Sequence, residues 1–286
     1  MAAAVITLTP LTGAGYVSGN KRVRYFTVNQ GEITSIHVGL SGTMSELMIE
    51  EIARRGAAPS VVWVGEPTLW GVLSAHKGIR DYEVRITGKA AHSSDPRLGA
   101  SAIHEAIDLL AVLRRIAGEQ EANAPASSDF DPSWTTITVG EIGGGTAPNI
   151  LARECRFVFD VRTVPGVNPD AMLAPFFAEV KRVHEKLAAR GPECGVVVNL
   201  RADAPPMQLR RDSAAETFMR ALTGDNAVRV AAFATEGGQF QKAGFPAVIC
   251  GPGSIAQAHQ PNEFVAVSEI EKGLQIFARF LNTLRG

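Results

Sequence analysis

Cysteine is scarce in this chain: Cys155, Cys194 and Cys250 are the only three. An odd, scattered set with no Cys-x-x-Cys pair excludes a disulfide framework and a thiolate zinc site, and it suits a reducing compartment. An excess of one charge is also lacking, since 28 lysines and arginines face 29 aspartates and glutamates, a formal net charge of −1. Nucleic acid and anionic membrane surfaces are therefore not expected partners. No apolar run approaches the roughly 20 residues that span a bilayer. The start, Met1-Ala-Ala-Ala-Val-Ile6, has no basic flank and is broken by Thr7, Thr9 and Pro10, so a signal peptide is not expected. A soluble, cytoplasmic protein is the expectation. Aspartate is missing in a telling place: none precedes Asp81.

What is present describes an ordinary globular chain of 286 residues, 45% hydrophobic and 20% charged, long enough for two domains. Residues 1–31 read as a leader with one or two short strands. Ile36, Val38 and Leu40 alternate as a strand. Thr43 with Glu46 fits a capping box before a helix whose apolar face is Met44, Leu47, Met48 and Ile52. Val61–Val64 is a β-branched, buried-type strand.

The pattern then changes. Tyr82, Val84 and Ile86 alternate with charges, as in a half-exposed antiparallel strand. A helix from about Ala100 to Ile116 carries Ile103, Ile107, Leu110 and Leu113, and a polar loop follows from Glu119 to Ser133. Next come strands Thr135–Ile142 and Cys155–Arg162 (Phe157, Phe159 and Val161 inward), helix Pro169–Ala189 and strand Val196–Leu200. The order β-α-β-β-α-β predicts a ferredoxin-like sandwich with an open sheet edge that invites pairing with a second copy. A helix at Ser213–Leu222, strands at Val228–Phe233 and Ala247–Cys250, and a closing helix Ser268–Leu284 with Ile270, Leu274, Phe277 and Leu281 inward complete the chain.

Several segments place chemically capable side chains in loops. Ile249-Cys-Gly-Pro-Gly-Ser-Ile-Ala-Gln-Ala-His-Gln-Pro-Asn-Glu263 is a strand that empties into a loop presenting His259. Strand ends of this kind hold ligands in open α/β sheets, and a neutral imidazole there suits a metal ion. A solvated loop histidine is the alternative. Glu66 closes a strand in Val64-Gly-Glu-Pro-Thr68, with Pro67 stiffening the turn; it reads equally as a solvated turn carboxylate. His92 lies in Ala90-Ala-His-Ser-Ser-Asp-Pro96, whose polar residues argue against a core histidine. Gly143-Gly-Gly-Thr-Ala-Pro-Asn-Ile150 is a flexible turn ending in Asn149, and Asp160-Val-Arg162 closes the next strand. A hairpin connection and a surface ion pair are their plain readings. Thr235 and Glu236 sit in a tight polar loop, Ala234-Thr-Glu-Gly-Gly238.

In this order and spacing, from about Val61 to the C-terminus, these segments resemble the acetylornithine deacetylase / succinyl-diaminopimelate desuccinylase family of zinc-dependent hydrolases, nearest its acetylornithine deacetylase branch. The resemblance implies a zinc-peptidase-like α/β sheet domain, residues 1–75 and 201–286, with an inserted ferredoxin-like (βαββαβ) dimerisation lid, residues 76–200. It implies two zinc ions per subunit, with cobalt as a substitute, Glu66 binding one and His259 the other, about 3.5–4 Å apart. By the same resemblance His92 reaches across a homodimer to donate to the developing oxyanion in the partner's site. Asn149 and Arg162 then bind the substrate carboxylate, with donors suited to it, and Thr235 and Glu236 line the site. The implied activity is cleavage of the N-acyl amide of a small amino acid such as N-acetylornithine, a step of arginine biosynthesis.

The chain departs from the family upstream of Glu66. The family's His-x-Asp loop, its bridging aspartate in an Asp-x-Lys-Gly-like turn and its adjacent glutamate pair with the general base have no counterparts. The only histidine there is His37, inside a strand, and Leu40 is followed by Ser41-Gly-Thr-Met-Ser-Glu46. Glu50-Glu51 falls within a helix and reads as a solvated face. Three readings result: a metal-dependent deacylase; a silent relative that dimerises and binds an N-acyl amino acid through Asn149, Arg162 and His92; or a product truncated by a late start or frame change near residue 40.

Overall fold

The computed structural model describes residues 61–210, 213–258 and 260–283. Before residue 61 it describes the strand residues 4–9, 17–18, 21–22, 24–26 and 35–39 and the helical residues 48–50 and 52–54 (α1). Contacts divide the chain into two compact units, Met1–Lys77 with Ala204–Gly286, and Gly78–Asp203.

The first unit is built on a five-stranded sheet of order β13-β6-β1-β5-β4, comprising Ala247–Ile249, Val61–Gly65, Ala4–Thr9, Ser35–Gly39 and Arg24–Phe26. Strand β6 runs parallel to β13 and antiparallel to β1. Its period of two sends Val61 and Trp63 to one core, with Trp70, Val248, Met219 and Phe280, and sends Val62 and Val64 to the other, with Met48, Ile249 and Phe240. Burial on both faces accounts for the continuous apolar run. Helices α4 (Ala214–Thr223), α5 (Gly237–Lys242) and α6 (Val267–Thr283) complete this unit, with the short parallel pair β7 (Ala75–His76) and β12 (Val230–Ala231) and the antiparallel pair β2 (Val17–Ser18) and β3 (Lys21–Arg22).

The second unit runs β8 (Gly78–Thr87), α2 (Ala102–Ala122), β9 (Thr136–Gly144), β10 (Glu154–Thr163), α3 (Pro169–Ala188) and β11 (Gly195–Ala204), with sheet order β11-β8-β10-β9. This is the ferredoxin-like arrangement the sequence pattern predicts. Along β10 every second residue is buried, and Phe157 and Phe159 lie opposite Val84 and Tyr82. The Tyr82 and Phe159 rings stack at 5.0 Å, and Phe176 meets Phe159 edge-on at 5.2 Å. Local signals set both helix starts: the Ser101 side chain accepts from His104 N–H, and the Asn168 side chain accepts from Asp170 and Ala171 N–H ahead of Pro169.

Several expectations are corrected. Helix α6 docks through Gly273, Ile276 and Phe280, and the expected Phe277 stacks on the buried Trp63 ring at 5.1 Å, whereas Ile270, Leu274 and Leu281 are exposed, Leu274 at 67%. The helix carries two adjacent apolar stripes, and the docked one contains Gly273, where a Cβ would lie 2.6 Å from the Trp70 ring. Helix α2 likewise docks through Ala102, Ala106, Leu109, Leu113 and Ile116, leaving Ile107 56% exposed. Ala102 and Ala106 let the helix approach the sheet, Leu109, Leu113 and Ile116 fill the core, and the expected Ile103 and Leu110 pack partly against it. Helix α2 also continues to Ala122, past the expected loop start. The segment 228–233 contributes only Val230–Ala231 as strand. Gly237 opens a helix, so the expected polar loop is a helix start. More short strands occur before residue 31 than expected, and β1 is central in its sheet. Thr43, Met44, Glu46, Leu47 and Glu51 lie outside the described residues, while Glu50 is helical and exposed.

Candidate active site

In the first unit β6 and β13 end side by side, with Cys250 N–H donating to the Val64 carbonyl at 2.9 Å. The turn after Glu66 is tied to the loop after Cys250. The Thr68 hydroxyl accepts from Gly251 N–H at 3.1 Å and donates to the Gly71 carbonyl at 2.7 Å. Leu69 N–H donates to Gly253 O at 2.7 Å, and Trp70 N–H to Gly251 O at 2.9 Å. These bonds hold Leu69 (φ 54°) and Trp70 (φ 61°) in the left-handed region that side chains disfavour. Gly251 fits because a Cβ there would lie 2.5 Å from the Glu66 carbonyl oxygen. The sequence's two metal-candidate segments are thus joined, although His259 itself lies outside the described residues.

Glu66 is half-buried, and its carboxyl is pushed up to about 7, first by desolvation and then by the negative charge of Glu236. Glu236 immediately precedes the first residue of α5, with no capping bond from its side chain. Thr235 is buried, and its hydroxyl accepts from Gly237 N–H at 3.0 Å. The structure therefore brings Glu66, Thr235 and Glu236 into one locality.

His76, which the sequence reading did not single out, positions that helix start. Its Nε2 accepts from Gly238 N–H at 2.9 Å and its Nδ1–H donates to the Lys77 carbonyl at 2.8 Å. A backbone N–H can only donate, so the ring is neutral with its proton on Nδ1. Burial pushes its pKa down to about 4, against an upward pull from the Lys77 carbonyl. Gly238 approaches so closely that a Cβ would lie 1.9 Å from the Pro205 carbonyl oxygen. A lone histidine in Ser74-Ala-His-Lys77 matches no metal or catalytic spacing and gives little sequence signal.

Two carboxylates close enough for one to raise the other suit a cation. Stable zinc centres use three or four protein ligands. Among the described residues no group of three or more His, Cys, Asp or Glu side chains is placed to hold a metal ion.

In the second unit His92 is exposed, and its backbone bridges to Ile150, while Ser93 N–H donates to the Asn149 carbonyl at 2.9 Å. His92 and Asn149 are therefore neighbours. His92 Nδ1 accepts Ser94 N–H at 3.2 Å and contacts the Ser94 hydroxyl at 2.8 Å. This leaves the proton of the neutral ring on Nε2, a free-facing donor. Arg162 instead forks onto Asp160 of its own strand, Nε lying 2.9 and 3.0 Å from the two carboxylate oxygens. That is the ion pair of its plainer reading.

The fold is that of peptidases with an inserted dimerisation domain. Residues 74–187 match the family described as "Peptidase dimerisation domain". Similar solved structures include a dipeptidase from Saccharomyces cerevisiae (TM-score 0.56, 16% identity, covering 83% of this chain and 62% of that one). An aminopeptidase from Bacillus cereus is also similar (TM-score 0.55, 18% identity, 73% and 52%). Acetylornithine deacetylase of Myxococcus xanthus is 32% identical over 242 residues, 85% of this chain and 61% of that protein. The Proteus mirabilis enzyme of the same name is 34% identical over 236 residues, 80% and 57%. The chain is similar in sequence to acetylornithine deacetylases over most of its length. It spans about three fifths of the length of these curated relatives.

Proposed function

We propose that this chain carries out, or takes part in, metal-dependent hydrolysis of the N-acyl amide of a small amino acid of the N-acetylornithine kind, in arginine biosynthesis. The observation that carries the reading is Glu66, a carboxyl at a strand end, raised to about 7 by burial and by Glu236. Such a pair attracts a divalent cation, and Glu66 with His259 would hold zinc or cobalt. When bound, the metal supplies a Lewis acid for the amide carbonyl and activates water. Thr235 and Glu236 line the same locality, with His76 fixing their backbone. His92 offers its Nε2–H to an oxyanion, in the partner subunit's site by family resemblance; loss of such a donor costs about 3–4 kcal/mol elsewhere. Asn149 and Arg162 serve the substrate carboxylate, Arg162 only by leaving Asp160.

A homodimer formed through the lid is part of this reading. Strand β9 is a sheet edge, with 62% exposed Ile142 on it, and exposed Ile107 lies on α2, which packs against that sheet. A cytoplasmic setting is supported by the three free, buried cysteines. Among the described residues no helix is long and apolar enough to cross a membrane.

A second reading, a silent relative that binds without hydrolysing, is favoured by the lack of any aspartate before Asp81 to bridge two metals. Zinc per chain, measured on the wild type and on Glu66→Ala and His259→Ala, together with N-acetylornithine hydrolysis, separates the two. Zinc lost with either substitution, alongside hydrolysis, supports the hydrolase. No bound zinc and no turnover leave the silent binder.

A further inference from the structure

Helix α6 bears a second apolar face that its own unit leaves open. Val267, Ile270, Leu274, Phe277 and Leu281 recur at spacings of three and four residues, and each is between 37% and 70% exposed. That is the a/d seam of a heptad repeat, the pattern one helix presents to another. The g positions of the same repeat, Gly273 and Phe280, are among the buried residues that dock the helix. The e position beside the seam holds the exposed Glu271, which has no ion pair among the described residues. At the base of the seam Phe277 stacks on Trp63 of β6 at 5.1 Å. Apolar positions continue from there along the sheet: Trp63 pairs with Ile6 and Ile6 with Val38, and Val61 pairs with Leu8 and Leu8 with Ile36. Helix α4 packs on β6 and β13, yet none of α4, α5 and α6 packs closely on β1, β4 or β5.

The size and chemistry of this face select its occupant. The five seam residues leave on the order of 500 Å² of apolar surface open, a patch size that is commonly functional. Two globular copies that meet stably need roughly 800 Å² from each, so the seam alone falls short of a face between second copies. Within this chain the stretches outside the described residues run to at most eight residues, whereas α6 itself is 17 residues long. Eight residues make roughly two helical turns, too few to cover the seam. We infer that the α6 seam is a docking site for an amphipathic helix of a separate polypeptide. That helix carries its own a/d apolar seam over about four turns and a lysine or arginine placed to meet Glu271. The site uses none of Glu66, His92, Asn149, Thr235, Glu236 and His259, so it stands apart from the hydrolase reading.

The test is titration of the full chain with synthetic three-heptad peptides, followed by tryptophan fluorescence, since Trp63 is in contact with Phe277. One peptide has leucine at a and d and lysine at e and g. A second has glutamate in place of lysine, and a third keeps the first one's composition with its leucines moved to alternate positions. The lysine peptide is expected to bind saturably, and the other two about tenfold more weakly. Leu274→Glu should abolish saturable binding. Glu271→Lys should reverse the preference between the lysine and glutamate peptides, and both variants should keep the wild-type circular dichroism. Val197→Glu, at an exposed apolar position of β11, should change nothing. No binding of the lysine peptide, equal binding of the alternate-position peptide, or binding that survives Leu274→Glu would each overturn the docking site. Light scattering and denaturant unfolding cover the other occupants. Self-association abolished by Leu274→Glu would assign the seam to a second copy, and a large loss of stability in that variant would assign it to the chain's own segments; either result overturns the proposal. None of these readouts depends on whether the chain holds zinc or hydrolyses an amide.

Discussion

The backbone N–H of Gly238 donates to Nε2 of His76 at 2.9 Å, which fixes the first turn of α5 to a neutral, buried ring. Protonating that nitrogen breaks the bond. The folded-state pKa is about 4, below the ordinary 6.5, so between these values the unfolded chain binds more protons and stability rises with pH. The contribution is complete above pH 6.5 and is lost as pH falls towards 4. Its size is on the order of 3 kcal/mol, from about 1.4 kcal/mol per pKa unit. Urea unfolding of wild type and His76→Gln from pH 4 to 8 should show the difference in stability growing across that window; a flat difference would contradict it.

Glu66 has the opposite sign. Its pKa is raised to about 7 from 4.5, so its contribution is present below pH 4.5 and lost as pH rises through 7. In the presence of a chelator, Glu66→Gln is expected to match the wild type at pH 4 and to melt higher at pH 8. Thermal denaturation at the two pH values reads this directly. Added zinc should raise the melting temperature of the wild type and leave the variant unmoved.

The two stripes of α6 should respond unequally. Ile276→Ala, in the core, is expected to cost about 2–5 kcal/mol. Leu274→Glu, on the exposed stripe, should change stability by no more than about 0.5 kcal/mol. Denaturant midpoints of the two variants decide the matter, and a large loss from Leu274→Glu would mean that the stripe is covered in solution.

The dimer prediction concerns β9 and α2. Introducing Ile142→Lys together with Ile107→Glu places charges at the exposed edge without touching the Phe157–Phe159 core. Light scattering after size exclusion should show the wild type as a dimer and the double variant as a monomer, with unchanged circular dichroism. A wild-type monomer would refute self-association through this face.

Much of the second unit was legible in the sequence because its strands bury one face only. The alternation of Tyr82, Val84 and Ile86, and of Phe157, Phe159 and Val161, survives intact in the structure. Helix faces were less legible. Gly273, Ala102 and Ala106 dock because they are small, and a hydrophobic pattern weights them least. The loop chemistry could be read from Glu66, His92 and Asn149, each beside a turn-forming residue. The electrostatic partnership of Glu66 with Glu236 could not, because it joins positions far apart in sequence. Nor could His76, whose role is a single bond to a backbone amide across the fold.

The chain leaves and re-enters its first unit beside one backbone pair: His76 N–H donates to Met207 O at 3.1 Å, and Met207 N–H donates to His76 O at 3.0 Å. An insertion with both ends clamped together behaves as a cassette. Excising Gly78–Asp203 and closing the gap with a short turn is expected to leave both flanks in register, because that pair of bonds lies outside the excised segment.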